Sequence, residues 1–294
     1  MEDTYRWALV TAIAPIAWGG NYFVTHQLLP TGSPLWGAAI RAIPAGLLLL
    51  GVSRTLPHGS WWWKSLVLGV LNVGAFFALV YLSAQLLPTG VAAAVMALSP
   101  LVMMLFAWAL AREQPRRMSL IAGVAGIVGV IAIVVAPVET MNPLGILCAA
   151  GAMSMSSLGF VLAKRWRGSN AVLASTSWQL LAGGGVMLIA ATIFEGAPPT
   201  LNVGAGIGFG YVIVVATALA YVVWFTGFAH LSIATVGLIG LLNPVTGVLL
   251  GVIFGGENFT VIQVAGIVLI FAAIYLAQRD SVHGRRSEVL TLTK

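Results

Sequence analysis

Long apolar runs alternate with short polar gaps along this chain, and the runs keep close to the roughly 20 residues that a helix needs to cross about 30 Å of hydrocarbon. Ten are read, at 6–26, 34–53, 65–87, 89–111, 118–136, 142–163, 171–194, 203–229, 232–254 and 259–278. Each predicts one transmembrane helix, because only a helix satisfies its backbone donors and acceptors within a single apolar segment. The expected fold class is an all-α integral membrane protein. The gaps leave no room for a soluble domain, and the last 16 residues, "RDSVHGRRSEVLTLTK", are polar.

Two of the runs carry the same pattern. "LSPLVMMLFAWALARE" (98–113) and "LNPVTGVLLGVIFGGE" (242–257) each hold a proline within apolar sequence and a glutamate 13 residues later, and they lie 144 positions apart. "VAGIV" at 124–128 returns at 264–268, while "FV" at 23–24 and "AG" at 45–46 return 137 positions on. The repeat therefore spans about 140 residues, or five helices. Five is odd, so the second copy is expected upside down relative to the first, with Glu113 at one membrane surface and Glu257 at the other. The expected domains are a first five-helix repeat at 1–138, an inverted second repeat at 139–278 and a tail at 279–294. Inverted repeats of this kind let similar halves open alternately about a midplane site, as secondary transporters do.

Composition agrees with a bilayer as solvent. The 294 residues include 14 basic and 8 acidic ones, 60% are hydrophobic, and the mean hydropathy is +1.00. No water-exposed surface is built from such material. The basic balance reports topology and not nucleic acid. With the N-terminus inside, cytoplasmic segments hold 13 basic residues, the outer loops none, and Arg41 falls within a run, so both termini are expected in the cytoplasm. "MEDTYRW" lacks a basic leader, which reads the first run as a retained helix. A lone Cys148 permits no intramolecular disulfide.

Two five-helix units, "AWGGNYFV" in the first helix, Arg41 in the second and the proline-to-glutamate unit closing helices four and nine resemble the EamA-type drug/metabolite transporter superfamily over nearly the whole chain. Within it, the length and the aromatic-rich first half look most like the YddG-type aromatic amino acid exporters. The resemblance implies ten helices in a basket around a central cavity, with export of small metabolites.

Candidate ligand contacts come from polar and aromatic residues inside the runs. Trp18, Asn21 and Tyr22 are spaced i, i+3, i+4 and share one helix face. An amide in hydrocarbon costs several kcal/mol unless paired, so this face suits a ligand that is part polar and part aromatic. Tyr81 shares a face with Phe77, Tyr221 with Trp224 and Phe225, and Trp178 stands beside Gln179. The expected substrate-binding set is Trp18, Asn21, Tyr22, Tyr81, Trp178 and Tyr221. Trp61, Trp62 and Trp63, beside Lys64, read as an interfacial belt. Pro100 and Pro244 each remove a backbone donor, and with Ser99 and Asn243 before them they are the expected hinges or, equally, static kinks relieved by the neighbouring hydroxyl or amide. Arg41 is the one charge within a run. It suits a substrate carboxylate or a tie between helices through backbone carbonyls; the resemblance places an Arg here across transporters of very different substrates, which favours the structural role.

Absences narrow the chemistry. All eight acids lie at or beyond run ends, so no buried carboxylate is available to carry a proton or sodium ion. A single internal cation is too few for a phosphate dianion. No nucleophile, diphosphate or metal motif is present, and His26, His58, His230 and His283 fall in loops or at run ends, so no enzyme activity, metal or cofactor is expected. The expected function is a monomeric inner-membrane exporter of neutral amino acids, aromatic or bulky apolar ones, working as a uniporter by alternating access. The alternatives are a nucleotide-sugar or phosphate-ester exchanger of the same superfamily and, more remotely, an intramembrane enzyme.

Overall fold

A computed structural model describes residues 2–30, 32–86, 95–134, 142–255 and 260–292. Among them the chain is helical and holds no strand. The first part comprises α1 (Glu2–Leu28), α2 (Pro34–Ser53), α3 (Trp61–Gly69), α4 (Ala75–Leu86), α5 (Ser99–Ala111) and α6 (Arg117–Val134). The second comprises α7 (Pro143–Trp166), α8 (Val172–Phe194), α9 (Val203–Ile213), α10 (Ala220–His230), α11 (Ile233–Ile239), α12 (Leu242–Gly255) and α13 (Val261–Leu292). A π-helical turn, Val70–Gly74, joins α3 to α4, and another, Val214–Leu219, joins α9 to α10. Every expected run is occupied by helix among the described residues. Five stretches there are long and apolar enough to cross a membrane: Pro34–Ser53, Trp61–Val80, Pro143–Trp166, Val172–Phe194 and Val203–His230. Helix α13 continues to Leu292, through most of the segment that sequence alone reads as a tail.

Local chemistry sets the helix starts. Proline occupies the first turn of α2, α5 and α7, where its missing N–H breaks no helical bond. Asn142, Asn202 and Ser232 cap α7, α9 and α11 by accepting from backbone N–H groups in the first turn. Helix α2 is capped from a distance: the Glu195 carboxylate, at the end of α8, accepts from the N–H groups of Leu35 at 2.8 Å and Trp36 at 3.0 Å. A negative charge there also meets the positive end of the helix dipole.

Packing follows a regular scheme. Helix α1 lies against α10 and α12, α7 lies against α4 and α5, α2 pairs with α8, and α6 pairs with α13. The last two pairs are held close by glycine. Gly46 faces Leu181 while Gly184 faces Ile43, and Gly129 and Gly266 each approach the other's carbonyl oxygen. A Cβ would stand 2.8 Å from that oxygen at residue 129 and 2.6 Å at residue 266, so only glycine lets the two backbones come this near.

The expected hinges are placed differently from a proline kink. Pro100 and Pro244 stand in the first turns of α5 and α12, and the backbone is interrupted just before each. Tight i to i+3 bonds mark the interruptions, Leu101 N–H to Leu98 O and Asn243 N–H to Gly240 O, both at 3.1 Å. The physical reason is that proline ends one helical ladder and is at home opening the next.

Candidate functional site

The two π-turns lie 144 positions apart, the spacing of the proline-to-glutamate repeat. A π-turn shifts the helical ladder by one residue and is often found at functional sites. Here each presents a carbonyl to side chains from elsewhere. Ala216 O, in the second turn, accepts from Trp18 Nε1 at 3.0 Å and from the Arg41 guanidinium at 3.4 Å. Asn72 O, in the first, accepts from the Tyr221 hydroxyl at 2.8 Å. Residues 72 and 216 are themselves 144 apart.

A polar layer extends from these carbonyls. Arg41 Nε donates to the Thr217 hydroxyl at 3.1 Å, and the guanidinium carbon lies 4.1 Å from the Phe77 ring centroid, a cation–π contact. The Asn72 amide donates to Gln179 Oε1 at 2.9 Å, and Gln179 Nε2 donates to Ser175 O at 3.0 Å. Tyr211 donates its hydroxyl to Ala17 O at 3.0 Å, tying α9 to α1.

An aromatic wall stands beside it. The Trp18 ring meets Tyr221 edge-on at 5.7 Å and Trp224 at 5.1 Å. Trp224 packs in turn on Phe160 at 5.8 Å and Phe228 at 5.6 Å. Such edge-to-face pairs are each worth about 0.5–1.5 kcal/mol beyond their buried area. Three polar atoms here are buried and unpartnered: Asn21 Oδ1, Trp224 Nε1 and Asn243 Oδ1. Left without partners such atoms cost about 1–3 kcal/mol each, which marks this wall as a place suited to a polar ligand.

The sequence-derived set divides. Trp18 and Tyr221 are brought into contact, and Asn21 lies on α1 one turn beyond Trp18. Trp178 stands apart from them: its indole donates to Thr55 O at 2.7 Å and packs against Trp61 at 5.3 Å, anchoring the connection between α2 and α3. The side chains of Tyr22 and Tyr81 lie outside the described residues, as does Glu257. Arg41 meets a backbone carbonyl, Ala216 O, and the Thr217 hydroxyl. Sequence reading passed over Asn72, Thr217 and both π-turns. Asn72 and Thr217 sit as isolated polar residues in "LNVGAFF" and "VVATALAY", and that isolation was the available signal.

At one end of the bundle Glu113 closes a second polar cluster. Its carboxylate pairs with Lys164 Nζ at 3.0 Å and accepts from the Ile233 N–H at 2.9 Å, while Lys164 also donates to Leu231 O at 3.1 Å. The repeated glutamate thereby joins the ends of α5 and α7 to the start of α11. A cavity of about 510 Å³ opens beside it, lined in part by Arg112, Arg116 and Ser119.

Comparison with known proteins places this architecture. The EamA-like transporter family model matches twice, over residues 5–135 and 143–278. The chain belongs to the EamA-like transporter family. It is 37% identical over 282 residues to Protein PecM of Dickeya dadantii, covering 95% of this chain and 94% of that one. It is 28% identical to the uncharacterized transporter YvbV of Bacillus subtilis, over 94% and 92% of the two chains. It is 27% identical to the uncharacterized inner membrane transporter YedA of Escherichia coli K12, over 88% and 86%. A protein of known crystal structure shares the fold, with a TM-score of 0.81 over 95% of this chain and 98% of that one at 18% identity. The protein is thus a membrane transporter of the EamA drug/metabolite superfamily, with several apolar helices and relatives named as transporters.

Proposed function

We propose that this transporter exports neutral amino acids, aromatic or bulky apolar ones, across a bacterial inner membrane. The observation that carries the reading is the Trp18–Tyr221–Trp224 wall, with the buried and unpartnered Asn21 Oδ1 and Trp224 Nε1 beside it. Rings offer flat apolar surface to an aromatic side chain, and the unpartnered acceptor and donor suit the polar end of a zwitterion. A phosphate ester fits less well, because Arg41 is the one cation in the cluster among the described residues.

In this reading ten helices cross the membrane as two inverted five-helix repeats, 1–138 and 139–278, around a central cavity, with both termini cytoplasmic and 279–294 as a cytoplasmic tail. Support comes from the π-turns at matching positions, the double match of the family model and the exchange of partners in which α1 meets α10 and α12 as α7 meets α4 and α5. The interruptions at Pro100 and Pro244, with Ser99 and Asn243, serve as hinges in alternating access. Arg41 ties α2 to the second π-turn. Each half buries its face against the other, so the monomer is the working unit. The cargo moves down its own gradient as a uniport.

Counterflow of labelled amino acids into liposomes holding the purified protein tests the reading. Saturable counterflow of phenylalanine, tryptophan or leucine is the expected outcome. Counterflow of nucleotide sugars with none of any amino acid refutes it.

A further inference from the structure

The tether at Arg41 uses only part of its guanidinium. Nε is spent on Thr217, and one N–H of Nη2 reaches Ala216 O at a long 3.4 Å. Phe77 covers one face at 4.1 Å. Nη1 makes no hydrogen bond among the described residues, and no described carboxylate pairs with this cation, since the recorded salt bridge is Lys164–Glu113. A structural tie through a carbonyl and a hydroxyl needs no formal charge. Even a part-buried charge inside a helical bundle is costly without a counter-charge, and an anion that comes and goes would offset that cost.

The surroundings say which anion. Ala216 O, the carbonyl that Arg41 reaches, is also the acceptor of Trp18 Nε1, so the guanidinium adjoins the aromatic wall. On that wall the Trp224 Nε1 donor is buried, 3% exposed, and unpartnered, and its ring is 5.1 Å from Trp18. One turn along α1 from Trp18, the Asn21 amide oxygen is an unpartnered acceptor. One cation and a spare donor match a singly charged carboxylate. An unpartnered acceptor nearby matches an ammonium group.

We propose that the Arg41 guanidinium is the seat of the cargo's carboxylate, with Trp224 Nε1 as a second donor and Asn21 Oδ1 accepting from the cargo's ammonium group. This deepens the amino acid reading and rests on it. The tie to Thr217 and Ala216 then holds the guanidinium in place and leaves Nη1 for the cargo. Specificity follows: the carrier demands a free carboxylate, and the side chain lies against Trp18.

The test is displacement of labelled phenylalanine from the detergent-purified wild-type protein by unlabelled phenylalanine, phenylalaninamide and 3-phenylpropionate. The amide is expected to be weaker than phenylalanine itself by about tenfold or more, the effect of removing a charge-assisted bond from a part-buried cation. In Arg41→Gln that gap closes, and in Arg41→Lys part of it persists. Equal displacement by phenylalanine and its amide in the wild type, which needs no variant to fold, overturns the anchor while leaving the amino acid reading in place. A folded Arg41→Gln protein that keeps the wild-type gap overturns it too. If none of the twenty amino acids binds the wild type, the amino acid reading itself falls, and the anchor with it.

Discussion

Pro100 of α5 lies against Gly237 of α11, so close that a Cβ at residue 237 would stand 3.2 Å from the proline Cα. The contact joins the start of one interrupted helix to the segment that precedes the other interruption. Gly237→Val places branched bulk against rigid backbone, and overpacking of this kind costs about 1–3 kcal/mol. If the two interruptions move during transport, counterflow slows more than phenylalanine binding weakens. Stopped counterflow assays and equilibrium binding on the same preparation separate the two, and an equal loss in both assigns the contact to stability alone.

Trp18 is both a ring in the wall and a donor to Ala216 O. Trp18→Ala removes both and is expected to raise the half-saturation for aromatic amino acids several-fold, in keeping with about 0.5–1.5 kcal/mol for an aromatic contact beyond its area. Trp18→Phe keeps a ring and loses the bond, so its shift is smaller. Concentration dependence of counterflow reads this order directly; Phe behaving like Ala would assign the effect to the indole N–H.

Tyr221→Phe deletes one hydroxyl and strands the Asn72 carbonyl that accepted from it. The expected loss is about 0.6–1.5 kcal/mol of stability. Because the ring remains against Trp18, half-saturation stays near the wild-type value. Thermal unfolding in detergent checks the first statement and counterflow the second.

Glu113 serves two partners, so its variants separate by chemistry. Glu113→Gln keeps an acceptor for the Ile233 N–H and loses the charge opposite Lys164, whereas Glu113→Ala loses both. A partly exposed ion pair such as this one is worth about 1 kcal/mol or less, and a helix cap about 1 kcal/mol. The alanine variant is therefore expected to unfold at the lower temperature, by roughly the cap's share, and a Lys164→Met background should narrow the difference between Gln and wild type. Equal unfolding temperatures for Gln and Ala would remove the capping role.

The helices were legible because their cause is one-dimensional: a run of apolar residues must close its own hydrogen bonds in a bilayer, and 34–53, 143–166 and 172–194 fold almost where the runs end. The 144-residue spacing was legible as order along the chain, and the two π-turns keep it. The site was not. Trp18 and Tyr221 stand out as aromatic residues in runs, but their meeting at Ala216 and Asn72 depends on π-turns that a 3.6-residue pattern does not encode. Trp178 resembles them in sequence and differs only in its neighbours, Thr55 and Trp61, which a reading by helix face alone does not bring in. Pro100 was seen, and its role as the opening of α5 was not, since a proline in an apolar run fits a kink and a fresh start equally well.

The most direct measurement is counterflow of labelled phenylalanine into liposomes carrying the purified protein, with and without an imposed pH gradient, sodium gradient or potential. Saturable exchange that settles at equal concentration on both sides under every condition is the expected result, because a neutral zwitterion carries no net charge for a potential to act on, and a net charge would feel about 2.3 kcal/mol per 100 mV. Accumulation above that point under any imposed gradient would contradict uniport and bring a charged group, Arg41 first among them, into the coupling. Absence of counterflow for every amino acid, from protein that remains folded, would contradict the proposed cargo itself.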